Sequence, residues 1–167
     1  MSLTVLLLIL VLGIGQSASG QGKAVISAGF GIPELLNVGA QYQFHQCQLG
    51  FSVGTFPVSG RKLMSISGDF RYHFAGYSDV TSLRTFYGKL GLTYLSNDVA
   101  GKIGHYVYLN TRIGNDFNIT HKFGITVDIG VLYEIDQKII QVSNDCWYLP
   151  MNWRISPSVG IGLFYKL

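Results

Sequence analysis

Apolar and polar residues alternate with a period of two in stretch after stretch of this chain, and that period belongs to β-strands with one face set apart from the other. Residues 36 to 45 put Leu36, Val38, Ala40, Tyr42 and Phe44 on one parity and Asn37, Gly39, Gln41, Gln43 and His45 on the other. The pattern returns in Leu49, Phe51 and Val53, in Met64, Ile66, Phe70, Tyr72 and Phe74, and in Phe86, Leu90, Leu92 and Tyr94. It continues in Val107, Leu109, Thr111, Ile113 and Phe117, then in Phe123, Ile125, Val127, Ile129, Val131, Tyr133 and Ile135, and finally in Ile155, Val159, Ile161, Leu163, Tyr165 and Leu167. A glycine-rich segment near Ala24 to Ile32 supplies an eighth strand.

Alternation alone fits a soluble sandwich or a lipocalin-like barrel as well, so the deciding question is where the charges lie. The apolar parity carries no Asp, Glu or Lys, and its one Arg, Arg84, stands at a strand end. The other parity carries Asp69, Arg71, Lys89, Arg112, Asp116, Asp128, Glu134, Asp136, Arg154 and Lys166 among Gly and Ser. A soluble barrel for an apolar ligand needs bulky apolar residues inside, and the second face here is small and polar. Composition agrees: of 167 residues, 48% are hydrophobic and only 13% charged, too apolar for a soluble domain of one core. The formal charge of +3 comes from scattered basic residues, which predicts no nucleic-acid partner.

The chain therefore reads as all-β: an eight-stranded antiparallel up-and-down transmembrane β-barrel with a polar plugged lumen. Leu3 to Ile14 is apolar apart from Thr4 and Gly13 and leads into Gln16-Ser17-Ala18-Ser19-Gly20-Gln21, which resembles an export cleavage site. We accordingly divide the chain into a signal peptide, 1–20, and a barrel domain, 21–167. No Lys or Arg precedes the apolar run, so the true start is expected upstream of Met1. Folding the hairpins with constant index sums sets Arg112 opposite Asp128, Asp69 opposite Lys89, and Asp136 opposite Arg154 beside Glu134. With Arg71, these eight residues form the expected lumen polar network, read as structural. Short turns at His45 to Gln48 and Asn118 to Lys122 fall on the periplasmic side; Pro57 to Lys62, Ser96 to Gly104 and Lys138 to Asn152 face outward, and Ala75 to Leu83 is longer than this scheme expects. Tyr42, Phe44, Tyr72, Phe74, Phe86, Phe117, Phe123 and Tyr165 mark one aromatic girdle, and Tyr94, Tyr133 and Trp153 a second.

No catalytic, cofactor or metal site emerges. Nucleophilic catalysis needs a Ser beside a His, yet none of His45, His73, His105 and His121 is followed two residues later by Ser on the same strand face. Cys47 and Cys146 fall at opposite ends of the expected barrel, beyond reach of a disulfide. The last long connection is unusually apolar, and Trp147, Tyr148, Leu149 and Met151 make it a candidate external contact loop. It either extends strands seven and eight as a hairpin, folds over the lumen mouth, or meets a partner.

The stretch Ser27-Ala28-Gly29-Phe30-Gly31-Ile32-Pro33-Glu34-Leu35-Leu36-Asn37-Val38-Gly39 and the ending Val159-Gly160-Ile161-Gly162-Leu163-Phe164-Tyr165-Lys166-Leu167 resemble small outer-membrane barrel proteins of Bacteroides-type bacteria, similar in architecture to OmpA- and OmpX-type barrels. The resemblance implies a place in the bacterial outer membrane, contact with its lipid and lipopolysaccharide, and recognition of the C-terminal strand by the barrel-assembly machinery. Leu167 stands where such strands usually end in an aromatic, with Tyr165 two before it. The expected role is structural or surface-interacting and non-enzymatic, with a protein partner at the external loops. A narrow channel for small solutes is the alternative, and a lipid-modifying enzyme a further one.

Overall fold

The structure, a computed structural model, describes residues 23–58, 61–99, 102–141 and 154–167, and gives the backbone alone for 57, 58, 61, 62, 98, 99, 102, 103 and 137–141. The expected signal peptide, Cys146, Trp153 and the loop residues Trp147, Tyr148, Leu149 and Met151 lie outside these. The described residues form eight strands: β1 (Lys23–Gly31), β2 (Leu35–Phe44), β3 (Cys47–Val58), β4 (Arg61–Ala75), β5 (Phe86–Val99), β6 (Lys102–Asn118), β7 (Phe123–Gln141) and β8 (Ile155–Lys166). Each pairs antiparallel with its sequence neighbours, and β8 pairs with β1, so the sheet closes into an up-and-down barrel. Closure excludes the two-sheet sandwich.

The register fixes the barrel's dimensions. Partners followed once around from Val25 run through Gln41, Gly50, Asp69, Gly91, Asn110 and Leu132 to Ser156, whereas Val25 itself pairs with Lys166, ten residues further along β8. With strands about 4.8 Å apart and a rise of about 3.3 Å per residue, that stagger tilts the strands by about 40° and gives a backbone radius of about 8 Å. Such an interior is wide enough for side chains and little else.

Each strand turns outward the parity expected from its alternation, except β7 beyond Glu134. The apolar residues point outward and are exposed: Met64 at 60%, Ile113 at 62%, Ile129 at 67%. Among the described residues, five hydrophobic residues are buried against sixteen polar or charged ones, the reverse of a soluble core. The eight residues of the first aromatic girdle sit at the barrel end that also holds the start of β1 and the end of β8. Cys47, a free and half-buried thiol, opens β3 at that same end.

The pairing of individual charges differs from expectation in all three hairpins. In β6–β7 Phe117 lies opposite Ile125, so Arg112 faces Gly130 and Asp128 faces Gly114. In β4–β5 Arg71 lies opposite Lys89 and Asp69 opposite Gly91. In β7–β8 the Glu134 amide donates to the Arg154 carbonyl, and Asp136 pairs with Val107 on β6 instead. Each register is displaced by two residues, a slip that leaves every side chain on its own face and is invisible to alternation. Turn chemistry selects among such registers. Thr120 Oγ1 accepts from the amides of Lys122 and Phe123, at 3.3 and 2.9 Å, and the amides of Ile119 and Thr120 donate to the Phe123 carbonyl. Phe123 thereby closes the turn rather than facing Phe117. Between β4 and β5, a bulge at Ala75 and the 76–85 connection do the same.

The connections expected to face outward begin later along the chain than expected, because β3 runs to Val58, β5 to Val99 and β7 to Gln141. The far part of β7 pairs with β6, from Lys102↔Gln141 inward.

Gly130, on the inward side of β7, would direct an added Cβ into the backbone of Thr111 and Arg112, which no side-chain rotation relieves. Gly88 has open space around that position. Gly130→Ala is expected to lower stability by about 1–3 kcal/mol in urea unfolding of the refolded barrel, and Gly88→Ala to stay within about 0.5 kcal/mol of the parent.

Candidate functional site

The two halves of the wall contribute unlike side chains to the interior. β8, β1, β2 and β3 turn small residues inward, among them Ser27, Gly29, Gly39, Ser52 and Gly160, while β4 to β7 turn in Asp69, Arg71, Lys89, Arg112 and Asp128. The long charged side chains reach across into space that the small ones leave. Gly50 shows the fit, since a Cβ there would lie 2.7 Å from the Asp69 carboxylate.

The centre of the site comes from a turn. β1 and β2 are short, and the segment between them, 32–34, folds into the barrel and buries Pro33 and Glu34. Leu35, at φ 63°, occupies the left-handed region and redirects the chain into β2, with Asn37 Nδ2 donating to its carbonyl at 2.9 Å. Lys89 Nζ donates to Glu34 Oε1 at 3.0 Å, Arg112 donates to Glu34 Oε2, and Ser65 Oγ donates to the Glu34 carbonyl at 2.7 Å. The Ile32 carbonyl accepts from Arg112 Nη2 at 2.6 Å and from Ser158 Oγ at 2.8 Å. One three-residue turn is thus tied to β4, β5, β6 and β8.

Arg112 is the hub. Besides the turn, its Nη1 donates to Asp128 Oδ1 at 2.8 Å and its Nε to Ser158 Oγ. Asp128 accepts in turn from the Tyr87 hydroxyl at 3.1 Å, and that hydroxyl lies 2.7 Å from Thr126 Oγ1. Arg71 bonds Asp69 at 3.3 Å and stacks its guanidinium 5.1 Å from the Tyr87 ring centre. Lys89 stands 4.0 Å from Asp69, so this carboxylate lies between the two cations that face each other across β4 and β5. A cavity of about 50 Å³ adjoins Glu34, lined among others by Gln41, Phe51, Asp69, Arg71 and Asp128. At the girdle end His73 is fully buried against Tyr87, and its Nδ1 donates to the Arg84 carbonyl at 2.7 Å. Leu83, from the 76–85 connection, is buried as well.

Of the eight residues assigned to the interior from sequence, the structure brings together Asp69, Arg71, Lys89, Arg112 and Asp128. Glu134 is half-buried further along β7, and Asp136 and Arg154 are exposed. The described residues contain no ion pair between Asp136 and Arg154, because the register sets Arg154 against Glu134. Glu34 was missed, since it sits in a turn rather than on an alternating strand. The polar parity of the strands, with five acids and five cations, gave no sign of it; only among the buried side chains do four cations, Arg71, Lys89, Arg112 and Lys166, meet three strand carboxylates, Asp69, Asp116 and Asp128, and a buried cation demands a partner.

The histidines stand apart from one another. His73 bonds the Arg84 carbonyl, Nδ1 of His105 lies 2.6 Å from the Tyr94 hydroxyl, His121 bonds the Val80 carbonyl at 2.7 Å, and His45 is exposed in the two-residue turn before β3. Among the described residues no three His, Cys, Asp or Glu side chains gather in a way that could hold a metal ion. No family model matches this chain, and no curated protein matches it.

Arg112→Met would leave Glu34 and Asp128 buried without their shared cation. The expected loss is about 3–5 kcal/mol in urea unfolding, and neutralising both acids as well, with Glu34→Gln and Asp128→Asn, should recover much of it. Simple additivity of the three changes would instead mark these groups as solvated.

Proposed function

We propose that this chain is an outer-membrane β-barrel protein of the bacterial envelope, non-enzymatic, whose polar interior is a structural plug and whose role is structural or surface-interacting. The observation that carries the reading is the inverted burial: apolar side chains exposed all around, ion-paired polar ones inside. A solvated sheet leaves few contiguous apolar surfaces of this size, and hydrocarbon is the solvent such a surface fits. Met64 to Phe74 spans ten residue steps of outward-apolar β4, which at about 3.3 Å each and a tilt of about 40° covers about 25 Å, the height of the apolar band of transmembrane barrels.

With the start of β1 and the end of β8 on the periplasmic side, as in barrels of this kind, the β1–β2, β3–β4, β5–β6 and β7–β8 connections lie outside. In this orientation the partners are membrane lipid, lipopolysaccharide and, at the external loops, a protein; the barrel-assembly machinery would read the C-terminal strand.

A lumen crossed by the Glu34 turn supports the plug over the narrow channel. Planar bilayers holding the purified protein should therefore show no single-channel steps; steady conductance would favour the channel.

The outer-membrane fraction in dodecyl sulfate should migrate differently before and after boiling, as closed barrels do, and a soluble periplasmic protein with no shift would overturn the reading. Depth supplies a second check. Ile129→Lys, midway along outward β7, should cost about 2–4 kcal/mol in lipid, and Ile119→Lys, in the β6–β7 turn, about 0–1 kcal/mol.

A further inference from the structure

The outward surface is not uniformly bulky. Across β8, β1, β2 and β3 it dips into a trough of about 490 Å³ whose floor alternates Ala28 and Ala40 with Ile26 and Val38 and whose walls are Phe51 and Val53 on one side and Leu163 and Tyr165 on the other. All eight side chains point outward, the six large ones 40–59% exposed. Tyr165 stands at the girdle end of the trough, and the Lys122 ammonium lies 5.8 Å from its ring centre. Lys122 is exposed and forms no ion pair among the described residues. An apolar channel that ends at a cation held over an aromatic ring has the two parts that an anionic amphiphile needs, in the right order from membrane interior to interface.

We infer that this trough is a binding site for one anionic phospholipid of the leaflet at the girdle end, with an acyl chain laid over Ala28 and Ala40 and the phosphate on Lys122. The inference rests on the lipid-facing reading of the outward surface. A second copy of the barrel fits less well, because a twofold contact across this narrow strip would bring two Lys122 ammonium groups toward each other, and like charges oppose such pairing.

Native mass spectrometry of the refolded full chain, offered phosphatidylglycerol and phosphatidylethanolamine with the same acyl chains, tests the site. One lysine near an anionic headgroup is expected to favour phosphatidylglycerol about fivefold. Lys122→Ala should abolish that preference while leaving lipid still bound, and Ala40→Phe, which fills the floor, should lose the bound lipid of both kinds. Both positions lie on the barrel's outside, and each variant's heat-dependent gel shift reports that it still closes. Equal retention of the two lipids by the parent overturns the site, as does indifference of the bound lipid to Ala40→Phe, or a dimer that Ala40→Phe separates. A parent protein with no heat shift and no insertion into vesicles overturns the lipid-facing reading itself, a result distinct from a barrel that inserts and binds without preference.

Discussion

One guanidinium draws together parts of the chain that the backbone ladder leaves separate. Arg112, on β6, bonds Asp128 on β7, Ser158 on β8, and both the Ile32 carbonyl and the Glu34 carboxylate of the turn after β1. The planar fork of arginine suits this task, since its donors diverge in fixed directions and a lysine ammonium could not reach four acceptors spread around the plane. The seam between β8 and β1, where the last strand meets the first, is thus held by its ladder and by Ser158 and Ile32, which share Arg112 and bond each other.

That arrangement depends on an asymmetric wall. A ring of eight strands with large charged residues on every inward position would not fit within a radius of about 8 Å. Here six of the eight charges come from β4 to β7, and most of the space for them from β8 and β1 to β3, where glycine and serine recur. At Gly160 an added Cβ would run into Asp128 and Arg112, and at Gly31 it would approach Glu34 Oε2 at 3.3 Å. The same small residues let the 32–34 turn lie inside the barrel rather than above it. Four acids, Glu34, Asp69, Asp116 and Asp128, accompany four cations, Arg71, Lys89, Arg112 and Lys166, in the described interior. A balanced interior avoids the large cost of an unpaired buried charge, though the ion pairs themselves add little beyond that.

The fold was legible because its signal is periodic and repeated: each strand from Leu36 to Leu167 states its own two faces, since successive side chains of a strand point to opposite sides of the sheet. The interior was legible in part for the same reason, since Asp69, Arg71, Lys89, Arg112 and Asp128 all sit on the polar parity. Asp136 was misassigned because a bulge between Val107 and Tyr108 leaves Ile135 without a partner on β6 and turns the following residues over, so that parity counted from Phe123 fails beyond Glu134. Glu34 escaped because a turn has no parity, and its place follows from the shortness of β1 and β2 against their neighbours, a length difference that alternation does not encode.

The two-residue displacements have a common cause in closure. In an open hairpin a slip of two is a local matter, decided by the turn, because both registers keep the apolar residues outside. In a closed barrel the registers of all eight seams must return to the same place, so a slip in one seam either meets an opposite slip in another or changes the stagger, and with it the tilt and the radius. The turn at Thr120 and the bulge at Ala75 therefore bear on more than their own hairpins. They help to set a stagger of ten residues, and that stagger brings Arg112 diagonally past Gly130 to Asp128 and across to Ser158. Local turn chemistry at one end of the barrel and the ion pairs in its middle thus depend on the same registers. Index sums taken one hairpin at a time identify which charges share the interior and miss which residues stand face to face.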